Sequence, residues 1–459
     1  MNKLYSFLRL PAFLLASAAI VSCSYPLAPV NDEPEQKEEV TLLPLTQSVA
    51  VENNWIWDAR PVINIKVENP NSVPVSAKAT VKITTDTKKA VTSLENTQEI
   101  PANGSGVVSF TTDSDLDPGI YTADCRVDGK TARKFAFGIS PLKIVSEPDM
   151  QEDFDAFWSA AKTQLQELSM NVELTEIPAK SNASCKVYLV EMNSVPDCLE
   201  GDPVVIRGYY LEPQDGKKHP VLMHFYGYDT LTNPPKYSCP SGNGEFAEFY
   251  LSHRGQYINN RTADKREPDG KGDFTNIYGD WFAFNFGDKD GYYYRGAYMD
   301  CVQAVRFMAT RPTSDMDNLF AEGSSQGGAL CYAAAALSDI PFTAIAPNVA
   351  FLGDFPDYFS IVTWPGDVAK KNKGSMTDEE MYAFLSYFDT KNLATRISCA
   401  VWATSGLQDQ TCPPHTNLAP FNNLKSTDKQ MNFYPEMQHA YPPSWNSDIK
   451  SFFKARIKE

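Results

Sequence analysis

Apolar and polar residues alternate in short runs between residues 42 and 138 of the chain. Ile63, Ile65 and Val67, for example, are separated by single polar residues. A period of two is typical of strands that are buried on one face only, and turn-forming Asn-Pro and Asn-Gly pairs lie between the runs. The pattern predicts a small all-β sandwich of immunoglobulin-like type over residues 42–140. No catalytic constellation is visible in it, which favours a spacer or packing role over sugar binding.

Beyond Pro141 the chain changes to short apolar runs that alternate with stretches of helical character. This order is typical of a mostly parallel, doubly wound α/β sheet that is covered by helices on both faces. The segment around residues 354–389 is interpreted as a helical cap. In chain order we predict a helix from about Glu152, apolar runs at 220–225 and 281–286, a helix at 296–310, a strand at 319–322, a helix at 329–337, strands at 342–346, 399–404 and 431–434, and a helix at 445–457.

The first residues have the pattern of an export leader, with Lys3 and Arg9 ahead of a short apolar stretch. That stretch is too short to span a bilayer comfortably. Residues 20–23, Ile-Val-Ser-Cys, resemble a bacterial lipobox, which predicts a signal peptide over 1–23 and lipidation of Cys23; the alternative is a plain secretory leader. The acidic, apolar-poor segment 24–41 is interpreted as a tether. We therefore expect an exported lipoprotein, held at the bacterial outer membrane or in the periplasm by its lipid alone.

Composition narrows the classes of partner. The chain contains 42% hydrophobic and 21% charged residues, as expected of a globular protein with a sizeable core. Its formal net charge of -16 argues against nucleic acid as a partner, because phosphate binding needs clustered Lys and Arg. Outside the cytoplasm disulfides can persist, and eight cysteines remain besides Cys23, but sequence alone does not give their pairing.

The sequence Gly-Ser-Ser-Gln-Gly-Gly at residues 323–328 contains the one Gly-x-Ser-x-Gly pattern of the chain. It lies between a predicted apolar strand and an alanine-rich helix, which is where the nucleophile elbow of an α/β-hydrolase requires it. A serine on this sharp turn needs small flanking residues, and Gly323 and Gly327 supply them. Ser325 is therefore the predicted nucleophile, and the amide of Gln326 at the helix start can donate to an oxyanion.

A serine nucleophile needs a histidine base, which is oriented in turn by a carboxylate, and in this fold both follow the serine in the order acid, histidine. Of the five histidines only His415 and His439 follow Ser325. His439 comes after the last predicted strand and before the last helix, where this fold places its base, so it is preferred. Asp409, in the loop after strand 399–404, is the preferred acid over Asp354, Asp357 and Asp389 of the cap.

Three separated motifs resemble those of one family of carbohydrate esterases, the acetyl xylan esterases and cephalosporin C deacetylases. Arg254-Gly255-Gln256 matches the family's Arg-Gly-Gln, residues 323–328 match its Gly-x-Ser-Gln-Gly-Gly, and Asp409 with Cys412-Pro413-Pro414 matches its acid loop. The resemblance covers about residues 141–459 and implies an α/β-hydrolase esterase domain over that range, after the small sandwich.

The resemblance implies that Ser325, Asp409 and His439 form the catalytic triad, and that the backbone amides of Tyr228 and Gln326 form the oxyanion hole. It implies removal of acetyl groups from acetylated xylan or related oligosaccharides through an acyl-enzyme intermediate. Neither a metal nor an organic cofactor is implied. Members of the family often form ring-like assemblies, so a homo-oligomer is a further expectation.

The Arg254-Gly255-Gln256 motif is interpreted as structural, with the guanidinium tying loops together. Two departures from the family affect substrate preference most: Ala440 stands where a glutamate usually follows the histidine, and residues 229–231 replace glycines after Gly-Tyr. Two alternatives remain open. The same triad would serve a feruloyl esterase or a peptidase, and an inactive carbohydrate-binding surface lipoprotein would keep the fold without the chemistry.

Overall fold

The alternating segment near the start of the chain folds into two facing sheets. A computed structural model describes residues 41–228, 238–256, 258 and 278–459. One sheet has the order β1-β3-β6 and the other β2-β8-β7-β4-β5. The strands are β1 Thr46–Val49, β2 Ile56–Trp57, β3 Val62–Glu68, β4 Val75–Thr85, β5 Ala90–Ile100, β6 Ser105–Thr111, β7 Gly119–Val127 and β8 Lys130–Ile139.

The period of two sends alternate side chains of each strand into one core between these sheets. Ile63, Ile65 and Val67 of β3 are buried there, and they share the core with Val81 of β4 and Phe137 of β8. The predicted all-β region is thus confirmed, since both sheets contribute their apolar faces to a single core.

A nine-stranded sheet follows, in the order β17-β16-β15-β14-β12-β13-β11-β10-β9. The strands β12 to β17 are parallel to one another, whereas β9, β10 and β11 form an antiparallel edge, in which β11 pairs with β13. The strands are β9 Glu173–Glu176, β10 Cys185–Ser194, β11 Val204–Pro213, β12 His219–Phe225, β13 Ala247–Ser252, β14 Ser314–Ser324, β15 Ala344–Asn348, β16 Ala400–Gly406 and β17 Lys429–Tyr434.

Helices cover both faces of this sheet, which explains why its central strands contain continuous apolar runs such as residues 221–223 of β12 and 319–321 of β14. The main apolar core lies beneath α1, α2 and α3, and Trp445, Ile449 and Phe453 of α9 cover the opposite face. Helices α4 to α7 form the predicted helical cap. The helices are α1 Phe154–Glu167, α2 Tyr293–Ala309, α3 Gln326–Leu337, α4 Phe355–Ile361, α5 Gly366–Asn372, α6 Asp378–Leu385, α7 Thr390–Ala394, α8 Pro414–Asn422 and α9 Trp445–Lys454.

The prediction of an α/β-hydrolase sheet preceded by a β region is confirmed, with differences in detail. Strand β14 begins at Ser314, earlier than predicted, because its polar first half still pairs with the start of β12. The aromatic run at 281–286 forms consecutive turns, and burial of Trp281 and Phe282 accounts for its apolar character.

Several predictions concern residues outside the described ranges. The signal peptide over 1–23, lipidation of Cys23, all but the last residue of the tether and the departure at 229–231 stay predictions. The boundary between domains at residue 140 also stays a prediction, since residues 44–459 form one compact unit. Within the described ranges every helix is too short or too polar to cross a lipid bilayer. Free thiols occur at cysteines 125, 185, 198, 301, 331, 399 and 412.

Candidate active site

The elbow at Ser325 joins the end of β14 to the start of α3. Its backbone has a φ of 59° and a ψ of -120°, an arrangement that non-glycine residues rarely adopt. A Cβ atom at Gly327 would lie 2.1 Å from the carbonyl oxygen of Phe225, and one at Gly323 would lie 2.5 Å from the backbone of Gly327. The two glycines therefore allow helix, strand and β12 to approach closely, and the strained turn presents Ser325 at the carboxyl end of the sheet.

Asp409 lies in the loop that follows β16, and it is 1% exposed. Its Oδ1 atom accepts hydrogen bonds from the backbone amides of Thr411 and Cys412, at 2.8 and 2.9 Å. Its Oδ2 atom lies 2.7 Å from Nδ1 of His439. One carboxylate oxygen is therefore fixed by its own loop, and the other is aimed at the imidazole.

His439 follows β17 in a loop that packs on the end of β16. A Cβ atom at Gly406 would lie 2.5 Å from the carbonyl oxygen of Met437, so this loop can approach β16 only because residue 406 is glycine. The His439 side chain is 28% exposed, and in the described part of the chain its Nε2 atom makes no hydrogen bond. One ring nitrogen is bound by the acid and the other is available.

Asn348, at the end of β15, connects the elbow with the histidine loop. Its Nδ2 atom donates to Oγ of Ser324 at 2.7 Å and to the carbonyl oxygen of Ala440 at 3.1 Å, and its Oδ1 atom accepts from the Thr404 hydroxyl. One buried side chain thus bonds both to Ser324, which precedes Ser325, and to Ala440, which follows His439.

Ser325 and Asp409 also share a neighbour, the buried Cys412. Burial, together with the negative charge of Asp409, raises the pKa of the Cys412 thiol well above its usual value. A hydrogen bond with Ser325 has the opposite, smaller effect on this pKa. No hydrogen bond joins Ser325 to His439 among the described residues. Hydrogen bonds between catalytic groups are often long in unliganded enzymes and tighten when substrate binds.

The side chain of Gln326 is held away from the elbow. It is fully buried, its Oε1 atom accepts from the Tyr294 hydroxyl at 2.9 Å, and its Nε2 atom lies 2.8 Å from Nε2 of His253. The backbone amide of Gln326 is the first of α3, and the first amides of a helix have no partner within it. The predicted first oxyanion donor is thus at the helix start beside Ser325.

The second predicted donor, Tyr228, lies just beyond β12. The backbone of Phe225 and Tyr226 packs against Gly327 of α3, so the segment that leads to Tyr228 passes beside the elbow. The Tyr228 hydroxyl donates to Asp280 at 2.7 Å, which holds the side chain towards the 278–286 turns. The chain immediately after Tyr228 lies outside the described residues.

The side chains of Arg254 and Gln256, in the Arg254-Gly255-Gln256 motif, are buried. The Arg254 guanidinium is 1% exposed; it pairs with both oxygens of Asp300 and donates to Asp197 at 2.7 Å. Gln256 donates to the carbonyl oxygen of Gly227 at 2.6 Å. Arg254 therefore ties the loop at Asp197 to α2, while Gln256 holds the segment that leads to Tyr228.

The rival residues of the sequence analysis lie close together, with His415 on α8 and the aspartates in or beside the cap, and His415, Asp354 and Asp357 form ion pairs. His415 Nε2 is 3.1 Å from both Asp354 and Asp357, and its Nδ1 is 3.6 Å from Asp86 of the sandwich. Asp389 accepts from the backbone amides of Asp354, Phe355 and Lys391, and burial raises its pKa to about 7.

Among the described residues, Asp354, Asp357 and His415 are the group whose ligand atoms lie within 4.8 Å of one another, as a metal site would require. Burial opposes protonation of His415, but hydrogen bonds to Asp354, Asp357 and Asp86 outweigh it and raise its pKa to about 11. A protonated imidazole has no lone pair for a metal. The expectation that no metal or cofactor is required stays a prediction.

The chain is similar to known esterases over its second part. The family model described as "Acetyl xylan esterase (AXE1)" matches residues 142–457. "Acetyl esterase Axe7A" from Xylanibacter ruminicola is 27% identical over 345 residues, which is 74% of this chain and 75% of that protein.

Solved structures give the same result for the fold. An acetyl xylan esterase from Paenibacillus sp. R4 superposes with a TM-score of 0.57 at 27% identity, over 69% of this chain and 98% of that one. Acetyl Xylan Esterase 1 from Thermoanaerobacterium sp. JW/SL YS485 gives 0.58 at 23% identity, with the same two coverages. Because the family model matches more than half of the sequence, the chain belongs to the acetyl xylan esterase family and is a carboxylic ester hydrolase.

Proposed function

We propose that this chain is a serine esterase that removes acetyl groups from acetylated xylan or related oligosaccharides through an acyl-enzyme intermediate. The observation that carries the proposal is the 2.7 Å hydrogen bond between Asp409 and Nδ1 of His439, in loops that flank the strained elbow of Ser325. An acid, a base and a nucleophile at the carboxyl ends of β16, β17 and β14 of one sheet are the components of an acyl-transfer site.

In the first step His439 acts as the general base. Asp409 accepts a hydrogen bond from the Nδ1–H group, so the lone pair of the neutral ring is on Nε2, which is available. Nε2 takes the proton of the Ser325 hydroxyl as its oxygen attacks the ester carbonyl, and the resulting imidazolium protonates the departing sugar alkoxide. Water then attacks the acetyl-serine with the same proton transfers, and acetate is released.

The negative charge that develops on the carbonyl oxygen needs donors that are already in place. The amide of Gln326 begins α3, where the positive end of the helix dipole adds to its hydrogen bond. The backbone of Phe225 and Tyr226 packs against Gly327 of that helix, which supports the Tyr228 amide, two residues further along the chain, as the second donor. Gln256 supports it through the carbonyl oxygen of Gly227.

Aromatic rings next to the nucleophile favour a substrate that carries a small acyl group on a sugar. The Phe351 amide donates to the carbonyl oxygen of Ser325 at 3.0 Å, and the Phe351 ring stacks on Trp364 at 5.2 Å between centroids. Tyr228 lies 5.5 Å from Trp364 in an edge contact. Phe351 is 1% exposed and lies behind the half-buried rings of Tyr228 and Trp364, so the latter two are the rings that remain for contact with a small acyl group or the apolar face of a sugar.

The test is acetate release from acetylated xylan and from nitrophenyl acetate by the Ser325→Ala variant. We expect a loss of at least about 10⁴-fold in kcat, because the attacking oxygen is removed while binding and fold are kept. Ser314→Ala is the matched control, since this buried serine lies on the same strand and its hydroxyl has no hydrogen-bond partner among the described residues.

Undiminished acetate release from Ser325→Ala, with the control also active, would exclude the serine mechanism. A substrate panel with acetyl, feruloyl and peptide leaving groups distinguishes the proposed activity from those of a feruloyl esterase or a peptidase. Failure of the wild-type protein to react with a serine-directed fluorophosphonate would favour the inactive carbohydrate-binding alternative.

A further inference from the structure

The sandwich is in direct contact with the two loops that carry the acid and the base. Leu407, which follows β16 and precedes the acid by two residues, is fully buried and belongs to the apolar core of the sandwich. Phe433, near the end of β17, packs against the same core. The ends of the last two strands of the large sheet therefore insert apolar side chains into the smaller β region.

Gln408 makes the polar part of this contact, directly beside Asp409. Its Oε1 atom accepts from the backbone amide of Ala136 in β8 at 2.9 Å, and its Nε2 atom donates to the carbonyl oxygen of Ala136 at 3.0 Å. The glutamine amide thus pairs with the backbone of β8 as a neighbouring strand would. Strand β2 pairs with β8 only at Gly138 and Ile139, so the edge at Ala136 is left for Gln408.

The same residue also holds the loop that leads to the base. Gln408 Nε2 donates to the carbonyl oxygen of Pro435 at 2.8 Å, and its backbone amide donates to the carbonyl oxygen of Met437 at 3.0 Å. Arg133 of β8 adds an ion pair with Glu436 at 2.7 Å, and its guanidinium lies 4.5 Å over the ring of Trp55. Three consecutive residues of the histidine loop, 435–437, are therefore fixed by Gln408 or by the sandwich.

We propose that Gln408 is a positioning residue, through which the sandwich fixes the distance between Asp409 and His439. The inference rests on the proposed function, in which these two residues are acid and base. They come from separate loops on adjacent strands, and Gln408 is hydrogen-bonded to β8 and to the histidine loop at once. Displacements of about 1 Å in a catalytic group can cost about 10²-fold in rate, so a shared anchor on a rigid strand has a direct effect on the chemistry.

The experiment measures kcat and KM for nitrophenyl acetate with Gln408→Met, which keeps the length of the side chain but removes its amide. Rates are expressed per active site titrated with a fluorophosphonate, so that misfolded protein does not count. We expect kcat to fall by about 10- to 100-fold, while KM changes by less than about twofold. Gln430→Met on β17 is the matched control, because among the described residues the side chain of this exposed glutamine bonds to Asn432 of its own strand alone, and the variant should keep full activity.

A double-mutant cycle with Asp409→Asn separates positioning from a general structural effect. If Gln408 acts through the acid, adding Gln408→Met to Asp409→Asn lowers kcat by no more than about twofold further. An equal fold-loss in both backgrounds, or a kcat for Gln408→Met within twofold of the wild type, overturns the inference. If Gln408→Met yields no titratable sites, Gln408→Asn takes its place, since the shorter amide cannot reach Ala136 and the same loss is expected.

The two proposals fail in different ways. Full activity of Asp409→Asn would show that Asp409 is not the acid, which overturns the proposed triad and with it the role of Gln408. A large loss in Asp409→Asn with normal kcat in Gln408→Met leaves the triad in place and overturns the positioning role alone.

Discussion

His439 and His415 both follow Ser325 in the chain, yet the structure gives them opposite surroundings. His439 has one carboxylate partner, on Nδ1, and a side chain that is 28% exposed. His415 has carboxylates at both ring nitrogens and a side chain that is 12% exposed. A general base must keep one nitrogen able to accept a proton. Both histidines have carboxylate partners. The number and placement of these carboxylates therefore distinguish a histidine that can act as a base from one that serves as a positive charge in an ion pair.

The charge balance around His415 explains its surroundings. Asp354 is 4% exposed and is paired both with His415 and, through Oδ1, with Lys391 at 3.0 Å. Burial would raise the pKa of Asp354, but the hydrogen bond from His415 and the charge of Lys391 outweigh it and lower the pKa to about 2. With its own pKa raised to about 11, His415 is an imidazolium at neutral pH and stabilises the cap electrostatically.

The largest difference between the two histidines should be in catalysis. We expect His439→Gln to lower kcat for acetate release by about 10⁴-fold or more, because Ser325 loses its base. His415→Gln should lower kcat by less than about 10-fold, since in the described part of the chain this residue makes no hydrogen bond to Ser325 or Asp409. Steady-state kinetics on nitrophenyl acetate at pH 7 make the comparison. Equal losses in the two variants would contradict the assignment of the base.

The two substitutions should affect stability in the reverse order, with the larger loss in His415→Gln. We expect His415→Gln to lower the free energy of unfolding by about 3 kcal/mol, because Asp354, Asp357 and Asp86 lose their shared cation while Lys391 remains. The half-exposed Asp357 keeps the loss below that of a fully buried pair. His439→Gln should change it by less than about 1 kcal/mol. Urea unfolding at pH 7 measures both, and a His439 variant that is the less stable of the two would contradict this contrast.

The third difference between the two histidines is in the pH dependence of stability. His415 holds its proton in the folded state up to about pH 11 but releases it near 6.5 when unfolded. Its contribution is therefore complete below pH 6.5 and is lost as pH rises towards 11, by about 1.4 kcal/mol per pH unit. Burial lowers the pKa of His224, but hydrogen bonds to Glu248 and Glu322 outweigh this and raise the pKa to about 9. The stability that His224 contributes is therefore also lost as the pH rises, and this loss is the same in the wild type and in the variant.

The measurement is urea unfolding at several pH values between 7.5 and 10 for the wild type and for His415→Gln. We expect the wild-type stability to fall more steeply, with the two slopes differing by about 1.4 kcal/mol per pH unit. Parallel curves would mean that His415 is not charged in the folded protein.

The sequence was most informative where one short segment determines the geometry. The Gly-x-Ser-x-Gly spacing predicts the elbow because the close approach of Gly323 and Gly327 to β12 is a local steric requirement. The preference for His439 over His415 came from its place between the last predicted strand and the last helix. The antiparallel strands β10 and β11 were not predicted, since their mixed apolar and polar residues lack a clean period of two.

The contacts between the sandwich and the catalytic loops also escaped prediction, for a different reason. Gln408 and Ala136 are 272 residues apart in the chain, and a glutamine that bonds to a distant backbone has no local pattern. Asn348 and Cys412 are similar cases, because their partners come from other strands. The spacer role favoured for the sandwich from its sequence took no account of such contacts.

The burial of Leu407 inside the smaller β region has a consequence for protein engineering. A chimera that exchanged residues 46–139 for an unrelated module would leave this leucine facing water and would remove the backbone to which Gln408 is hydrogen-bonded. Grafting or trimming at this junction therefore amounts to redesigning an interior surface, and a replacement module would have to provide a matching apolar recess together with an open strand edge.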